Sequence, residues 1–391
     1  LAFRRVFGDA AMMTRIRPVL AGQAAWSNGP QGAANGLAFL FDYLSNGRGN
    51  YLPSANWTVP GTSTQVGPQP ISYYLWGAGG AAYYTAASSA VTVSDLLTSS
   101  EFDPAYWSSG GELKDTAFPP IFGLPRVAYE GGPNYGDSGL ATGDPRTNAG
   151  IARYTGRPNS PNMTDVMEAH HDQWSSLGGG LLTYYTSRSS WDYGGYLGGP
   201  ANRSDGIYSF DGVPQMVAVD ELRARAPAAI TAGEPIPGTR QGNGYVLNVR
   251  DNDWTTTPGA NNGATTLSAT GTRFAGYLYR AGSSYTASTV ILSKTGTGTA
   301  QVYLDGAALS TVDGGTTWTG PALSPGLHGV IVRASSGSVT VSSVAMDATA
   351  QPGALTCPIA PSPSLLTASL ISSAPSPSRC RGVVLTTAPP G

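Results

Sequence analysis

Charge is scarce in this 391-residue chain. Asp, Glu, Lys and Arg make up 12% of it, about half the usual share of roughly 25%. Of the 22 basic residues only Lys114 and Lys294 are lysines, an imbalance that reads as genome composition. The net charge is −2 and no basic block occurs, so the clustered positive surface that nucleic-acid binding needs is missing. No apolar run approaches the ~18 residues of a membrane-spanning helix. The three histidines are His170, His171 and His328, and the two cysteines are Cys357 and Cys380, both near the C-terminal end. Two cysteines cannot build a structural zinc site alone, although in an oxidising compartment they could form one disulfide. No metal and no cofactor are expected.

Glycine (52), proline (30) and tyrosine (20) fill the space that charge leaves. That composition suits a turn-rich, secreted or cell-surface protein. Residues 1–13 read as the end of an amphipathic helix with Phe3, Val6 and Phe7 in its apolar pattern, so Leu1 is not expected to be the natural start. Arg15–Gly22 and Ile71–Trp76 read as strands, and Asn35–Leu44 as a helix with Leu37, Leu40, Phe41 and Leu44 on one face. A strand follows at Val127–Tyr129. Thr164–Leu177 is a helix that Thr164 can cap, with Val166, Met167, His170 and Trp174 spaced for one face. Gly180–Thr186 is a strand and Pro214–Ala226 a helix. This alternation predicts a parallel α/β layout over residues 1–228. Residues 229–244 read as a Pro/Gly linker. From 245 to 347 short alternating strands separated by turns such as Asp305-Gly306 and Asp313-Gly314 predict a β-sandwich. Residues 348–391 are a Pro/Ser-rich tail.

The most telling stretch is Leu124-Pro-Arg-Val-Ala-Tyr-Glu-Gly-Gly-Pro-Asn-Tyr-Gly136. A short apolar run delivers a single carboxylate, Glu130, to the mouth of a glycine-rich loop. A lone carboxylate there is costly unless it is paired or working. Pairing would use Arg126 or Arg153. Working would make Glu130 the nucleophile of a retaining glycosidase, chemistry that needs two carboxyls about 5 Å apart. Aromatic residues surround the motif: Tyr129 and Tyr135 flank it, Trp191, Tyr193 and Tyr196 follow the next strand, and Trp76 ends the strand before. Aromatic rings stack on the C–H faces of sugars. Trp174, on a helix face, reads as core.

The run Arg-Val-Ala-Tyr-Glu-Gly-Gly, then a helix, then Leu-Thr-Tyr-Tyr and a Trp-bearing loop, resembles the last strands of the clan A glycoside hydrolases. The resemblance covers roughly residues 1–228. It implies the C-terminal half of a (β/α)8-type barrel followed by a β-sandwich, a β-linked poly- or oligosaccharide as substrate, Glu130 as nucleophile and Trp191 as sugar platform. The family's acid/base, a Glu commonly preceded by Asn at the end of the fourth strand, has no counterpart: the chain holds no Asn-Glu dipeptide. If the four strands are the fifth to the eighth, the acid/base strand is expected before Leu1. Glu101 and Asp103 are weak substitutes, and Glu112 and Asp115 read as surface charges.

Other motifs point to plainer roles. Gly136-Asp137-Ser138-Gly139 is similar to the nucleophile motif of chymotrypsin-like proteases, but no histidine precedes His170. Glu168-Ala169-His170-His171-Asp172 lacks the i, i+4 histidine spacing of helical zinc sites; His170 should pack inward and His171 face solvent. His328 reads as isolated and structural. Tyr279, Tyr285 and Trp318 are candidate glycan contacts in the β-rich region, where Val302-Tyr303-Leu304-Asp305-Gly306 resembles strand–turn units of sugar-binding jelly-roll modules. Two readings of other classes stand beside the enzyme: a non-catalytic glycan-binding protein, and an extracellular structural protein with no aromatic pocket over a carboxylate.

Overall fold

Glycine and alanine, not β-branched residues, make the strand at 77–79 in the first half. In the computed structural model, which describes residues 2–22, 36–37, 40–41, 57–58, 63, 65–66, 69–84, 118–133, 163–184, 214–250, 259–269 and 272–350, helix α1 is Ala2–Phe7 and strand β1 Val19–Ala21. Helix α2 (Ile71–Tyr74) leads into β2 (Gly77–Gly79) and β3 (Ala81–Tyr84). Then come β4 (Arg126–Ala128), β5 (Glu130–Pro133), α3 (Met163–Ser176), β6 (Gly179–Leu182) and α4 (Pro214–Ala224). Strands β1, β2, β4 and β6 pair side by side in chain order, all parallel. Strands β3 and β5 pair in parallel beyond them. Among the described residues this sheet does not close into a barrel.

Two expectations fail here. Ile71–Trp76 is not a strand: Ile71–Tyr74 turns as a helix after Pro70, and the strand begins at Gly77. The sheet selects glycine there because backbones crowd it; a Cβ added to Gly79 would stand 1.8 Å from the Val127 carbonyl oxygen. Propensity does not anticipate such a strand. Nor does α1 bury its apolar residues, since Phe3, Val6 and Phe7 are 53%, 68% and 52% exposed. Helix α3 behaves as its spacing requires. It begins one residue before Thr164, and Met167, His170 and Trp174 are buried on one face.

The second half is all β: β7 (Glu234–Pro235), β8 (Gly238–Gln241), β9 (Leu247–Arg250), β10 (Thr265–Ser268), β11 (Thr272–Ala281), β12 (Tyr285–Thr295), β13 (Thr299–Leu304), β14 (Ala307–Ala308), β15 (Ser310–Thr311), β16 (Thr317–Gly320), β17 (Gly326–Ser336) and β18 (Ser338–Ala350). One sheet runs β8-β18-β12-β16-β15 with β10 on β18; the other runs β9-β11-β17-β13-β14 with β7 on β11. Tyr277, Tyr279, Val330 and Val332 of one sheet share a core with Val290, Leu292, Trp318, Val344 and Met346 of the other. The stretch expected to be a linker, 229–244, supplies a strand to each sheet, β7 and β8. In β18 the buried positions move from Val339 and Val341 to Val344 and Met346. A bulge against Ser293/Lys294 inserts the residue that shifts the phase. Between β13 and β14, Asp305 and Gly306 both take positive φ (51° and 78°), as a two-residue type I′ hairpin turn demands.

The sheet containing β17 is covered on both faces. Val330 and Val332 face the core just described, whereas Ile331 joins Leu247, Phe274, Leu278 and Tyr303 against Leu37, Phe41, Phe118, Ile121, Phe122 and Leu124 of the first half. Phe41 anchors this second core, with its ring centroid 4.9 to 5.5 Å from those of Tyr303, Phe274 and Phe122. Burial on both faces explains the unbroken apolar run 330–332. Leu1–Gln351 therefore form one compact unit. Among the described residues no helix is long and apolar enough to cross a membrane. Cys357 and Cys380 lie outside the described residues.

Candidate functional site

Glu130 owes its placement to a bend. Arg126, Val127 and Ala128 are all buried, then the chain breaks at Tyr129, which is 43% exposed, and resumes pairing at Glu130 opposite Ala81. Arg126 and Ala128 face α3: the Arg126 guanidinium carbon lies 3.7 Å from the centre of the Trp174 ring, and Ala128 packs with Ala82, Trp174 and Leu182. A Cβ added to Gly131 would meet Leu182 Cδ1 at 3.0 Å, so Gly131 continues that helix-covered face. Side chains alternate along a strand, and Glu130 is therefore turned to the opposite face. The bend at Tyr129 supplies the extra residue that makes this possible. Thr183, whose amide donates to the Ala128 carbonyl at 3.1 Å, is exposed beside it, as is Leu181.

Of the residues expected at the site, the structure joins Tyr129 to Glu130 and separates Trp76 from them. Trp76 precedes β2 rather than ending a strand, so it sits at the amino end of the sheet. Ala81, opposite Glu130, is five residues further along, about 16 Å at ~3.3 Å per residue. Trp76 instead carries the Arg17 guanidinium 4.8 Å above its ring centre. Tyr135, Arg153, Trp191, Tyr193, Tyr196, Glu101, Asp103, Glu112 and Asp115 lie outside the described residues. Arg126, one expected partner for Glu130, stacks on Trp174, and among the described residues no ion pair reaches Glu130. Nor does a second carboxylate stand at the carboxyl ends of the described parallel strands.

Behind the sheet lies a polar layer that the sequence only half shows. Trp174 donates from Nε1 to the Gly180 carbonyl at 2.9 Å. His170 is fully buried beside it, and burial, then the charges of His171 and Arg126, pull its pKa down to about 3. Contrary to expectation His171 does not simply face solvent: its Nδ1 lies 3.1 Å from the Tyr184 hydroxyl, and burial lowers its pKa. Burial also raises the Tyr184 phenol. On the outer side of α3, burial and a hydrogen bond to Glu221 raise the Glu168 carboxyl, while Asp172 accepts from Arg225 at 2.8 Å. Among the described residues no three His, Cys, Asp or Glu side chains are grouped to hold a metal.

Two of the three candidate glycan contacts of the second half are core residues, and the third, Tyr285, is half-buried. Tyr279 and Trp318 are buried in the core between the sheets, and Tyr285 donates to the Ile236 carbonyl at 3.0 Å. His328 is not isolated, since its Nδ1 lies 2.8 Å from an Asp305 carboxylate oxygen.

No family model matches the chain, and no curated protein matches it. Its weak structural neighbours are carbohydrate-active enzymes. The catalytic domain of a GH87 α-1,3-glucanase in complex with nigerose is 12% identical over 31% of this chain and 29% of its own, with a TM-score of 0.18. A GH115 4-O-methyl-α-glucuronidase with specificity for decorated arabinogalactans is 13% identical over 52% of this chain and 27% of its own, at 0.19. A Paenibacillus sp. cycloisomaltooligosaccharide glucanotransferase complexed with cycloisomaltoheptaose is 11% identical over 85% and 58%, at 0.19. The chain thus spans less than a third of the length of the glucanase domain and of the glucuronidase.

Proposed function

We propose that the chain acts on carbohydrate at the carboxyl ends of its parallel strands, with Glu130 as the nucleophile of a retaining glycoside hydrolase on a β-linked saccharide. The observation that carries this reading is the bend at Tyr129, which turns Glu130 away from the helix-packed face and leaves it next to an exposed tyrosine. On this reading β1, β2, β4 and β6 belong to the C-terminal half of a (β/α)8-type barrel, residues 245–347 are a β-sandwich accessory domain, and the protein works outside the cell. Tyr129 flanks the sugar, and Tyr135, Trp191 and Tyr193 stack on it. The Glu130 carboxylate attacks the anomeric carbon. The glycosidic bond breaks as a second carboxyl protonates the leaving oxygen, and water then releases the sugar from the ester. A panel of 2-deoxy-2-fluoro-β-glycosides with good leaving groups tests the assignment. The expected result is a glycosyl adduct on the peptide containing Glu130, absent from Glu130→Gln; an adduct on another residue, or full turnover by Glu130→Gln, overturns it.

A second reading is a glycan-binding protein without hydrolysis. Calorimetry that finds saccharide binding by the native chain, with neither adduct nor product, selects it.

A further inference from the structure

We propose that His328 and Asp305 form a pH-sensitive latch that holds the segment leading into Glu130 in acid and loosens it as the solution becomes alkaline. His328, buried at 7% exposure, faces two acceptors. Its Nδ1 lies 2.8 Å from Asp305 Oδ2, and its Nε2 lies 2.8 Å from the Ser324 carbonyl. Only the imidazolium can donate to both. The neutral ring must turn a lone pair toward one of them. Asp305 is otherwise tied to the strand that bears His328: its Oδ1 accepts from the Gly329 amide at 2.9 Å, and its own amide donates to the Gly329 carbonyl at 2.8 Å.

The turn so held is the one on which the site segment rests. A Cβ added to Gly123 would stand 2.4 Å from the Asp305 carbonyl oxygen, and one added to Gly306 2.9 Å from that of Phe122. Phe122-Gly123-Leu124 runs directly into β4 and so into the bend at Tyr129. Among the described residues the titratable groups around His328 are few. Asp305 sits on the hairpin turn. Tyr279 is opposite on β11, and its phenol donates to the Val344 carbonyl. Glu234 on β7 is opposite Tyr279 in turn and paired with Arg240 of β8. Burial works against protonation of His328, but the hydrogen bond and charge of Asp305, helped by the Ser324 carbonyl, outweigh it and raise the pKa above its ordinary value. A raised folded pKa stabilises the latch fully below the unfolded value of about 6.5 and loses that stabilisation as pH rises through the folded one.

The test needs no saccharide, so it stands or falls separately from the glycan reading. Hydrogen exchange is followed on peptides spanning residues 118–130 of the full chain at about pH 5.5 and about pH 8.5, corrected for intrinsic rates. The expected result is a loss of protection of about tenfold at the higher pH, the scale of one charge-assisted hydrogen bond. Peptides over 339–346 should stay unchanged. His328→Gln and Asp305→Asn should each remove the pH dependence. Protection of 118–130 that ignores pH in the native chain, or a pH dependence that survives in His328→Gln, overturns the latch. Should either variant fail to fold, the pH series of the native chain decides alone.

Discussion

Gly329 and Ile121 meet backbone to backbone: a Cβ added to Gly329 would stand 2.0 Å from Ile121 Cα. This contact joins the all-β half to the turn that feeds β4. Gly276, also facing Ile121, keeps the same patch of sheet low. Replacing Gly329 by alanine must push the two halves apart. We expect Gly329→Ala to lose about 3 kcal/mol, the upper end for overpacking, read as a lower denaturation midpoint in urea. An unchanged midpoint would show that the halves are not in backbone contact.

The shared core around Phe41 makes a second prediction. Phe41 touches aromatic rings of both halves, so the halves should unfold together. Phe41→Ala should cost about 3–5 kcal/mol and shift far-ultraviolet circular dichroism and tryptophan fluorescence by the same amount. Two separate transitions in the native chain would contradict it.

Trp174 carries three duties: it fills the core behind β4, it bears the Arg126 guanidinium, and it donates to Gly180. Trp174→Ala should cost about 3–5 kcal/mol. Trp174→Phe keeps a ring under Arg126 and should recover much of the loss, leaving a deficit of about 1 kcal/mol for the hydrogen bond. Denaturant titration of both variants checks the order.

His170 should tilt stability with pH. Its folded pKa of about 3 lies below the unfolded value of about 6.5. The unfolded state therefore takes up the proton first. The stabilisation is complete above about 6.5 and drains away as pH falls toward about 3. In His170→Leu the stability difference between pH 7 and pH 4 should shrink relative to the native chain, whatever the variant's absolute stability. An identical acid slope in both would place His170 in contact with water.

Glu130→Gln should leave the denaturation midpoint within about 0.5 kcal/mol of the native chain. The side chain is partly exposed, and among the described residues it makes no ion pair. A large loss would mean that Glu130 holds the fold rather than serving a ligand.

Periodicity determined much of the protein without help from structure. The spacing of Met167, His170 and Trp174 specified which face of α3 is buried. The short alternating runs between 245 and 347 specified that this region is built of strands, and Asp305-Gly306 specified a tight turn. Each is a local rule, set by the 3.6-residue helical period, the two-residue strand period or the φ a turn requires. What depended on distant backbone was beyond such rules. Gly77–Gly79 is a strand because β1 and β4 flank it, and Val127 leaves no room for a side chain at Gly79; 234–241 is paired because two sheets present open edges to it. Trp76 and Glu130 fall at opposite ends of the sheet because their strands pair in one particular register. The residues of the Glu130 motif were visible in the sequence, but the direction of its carboxylate was not. That was decided by one extra residue at Tyr129, whose effect on alternation exists only once β4, β5 and β6 lie side by side.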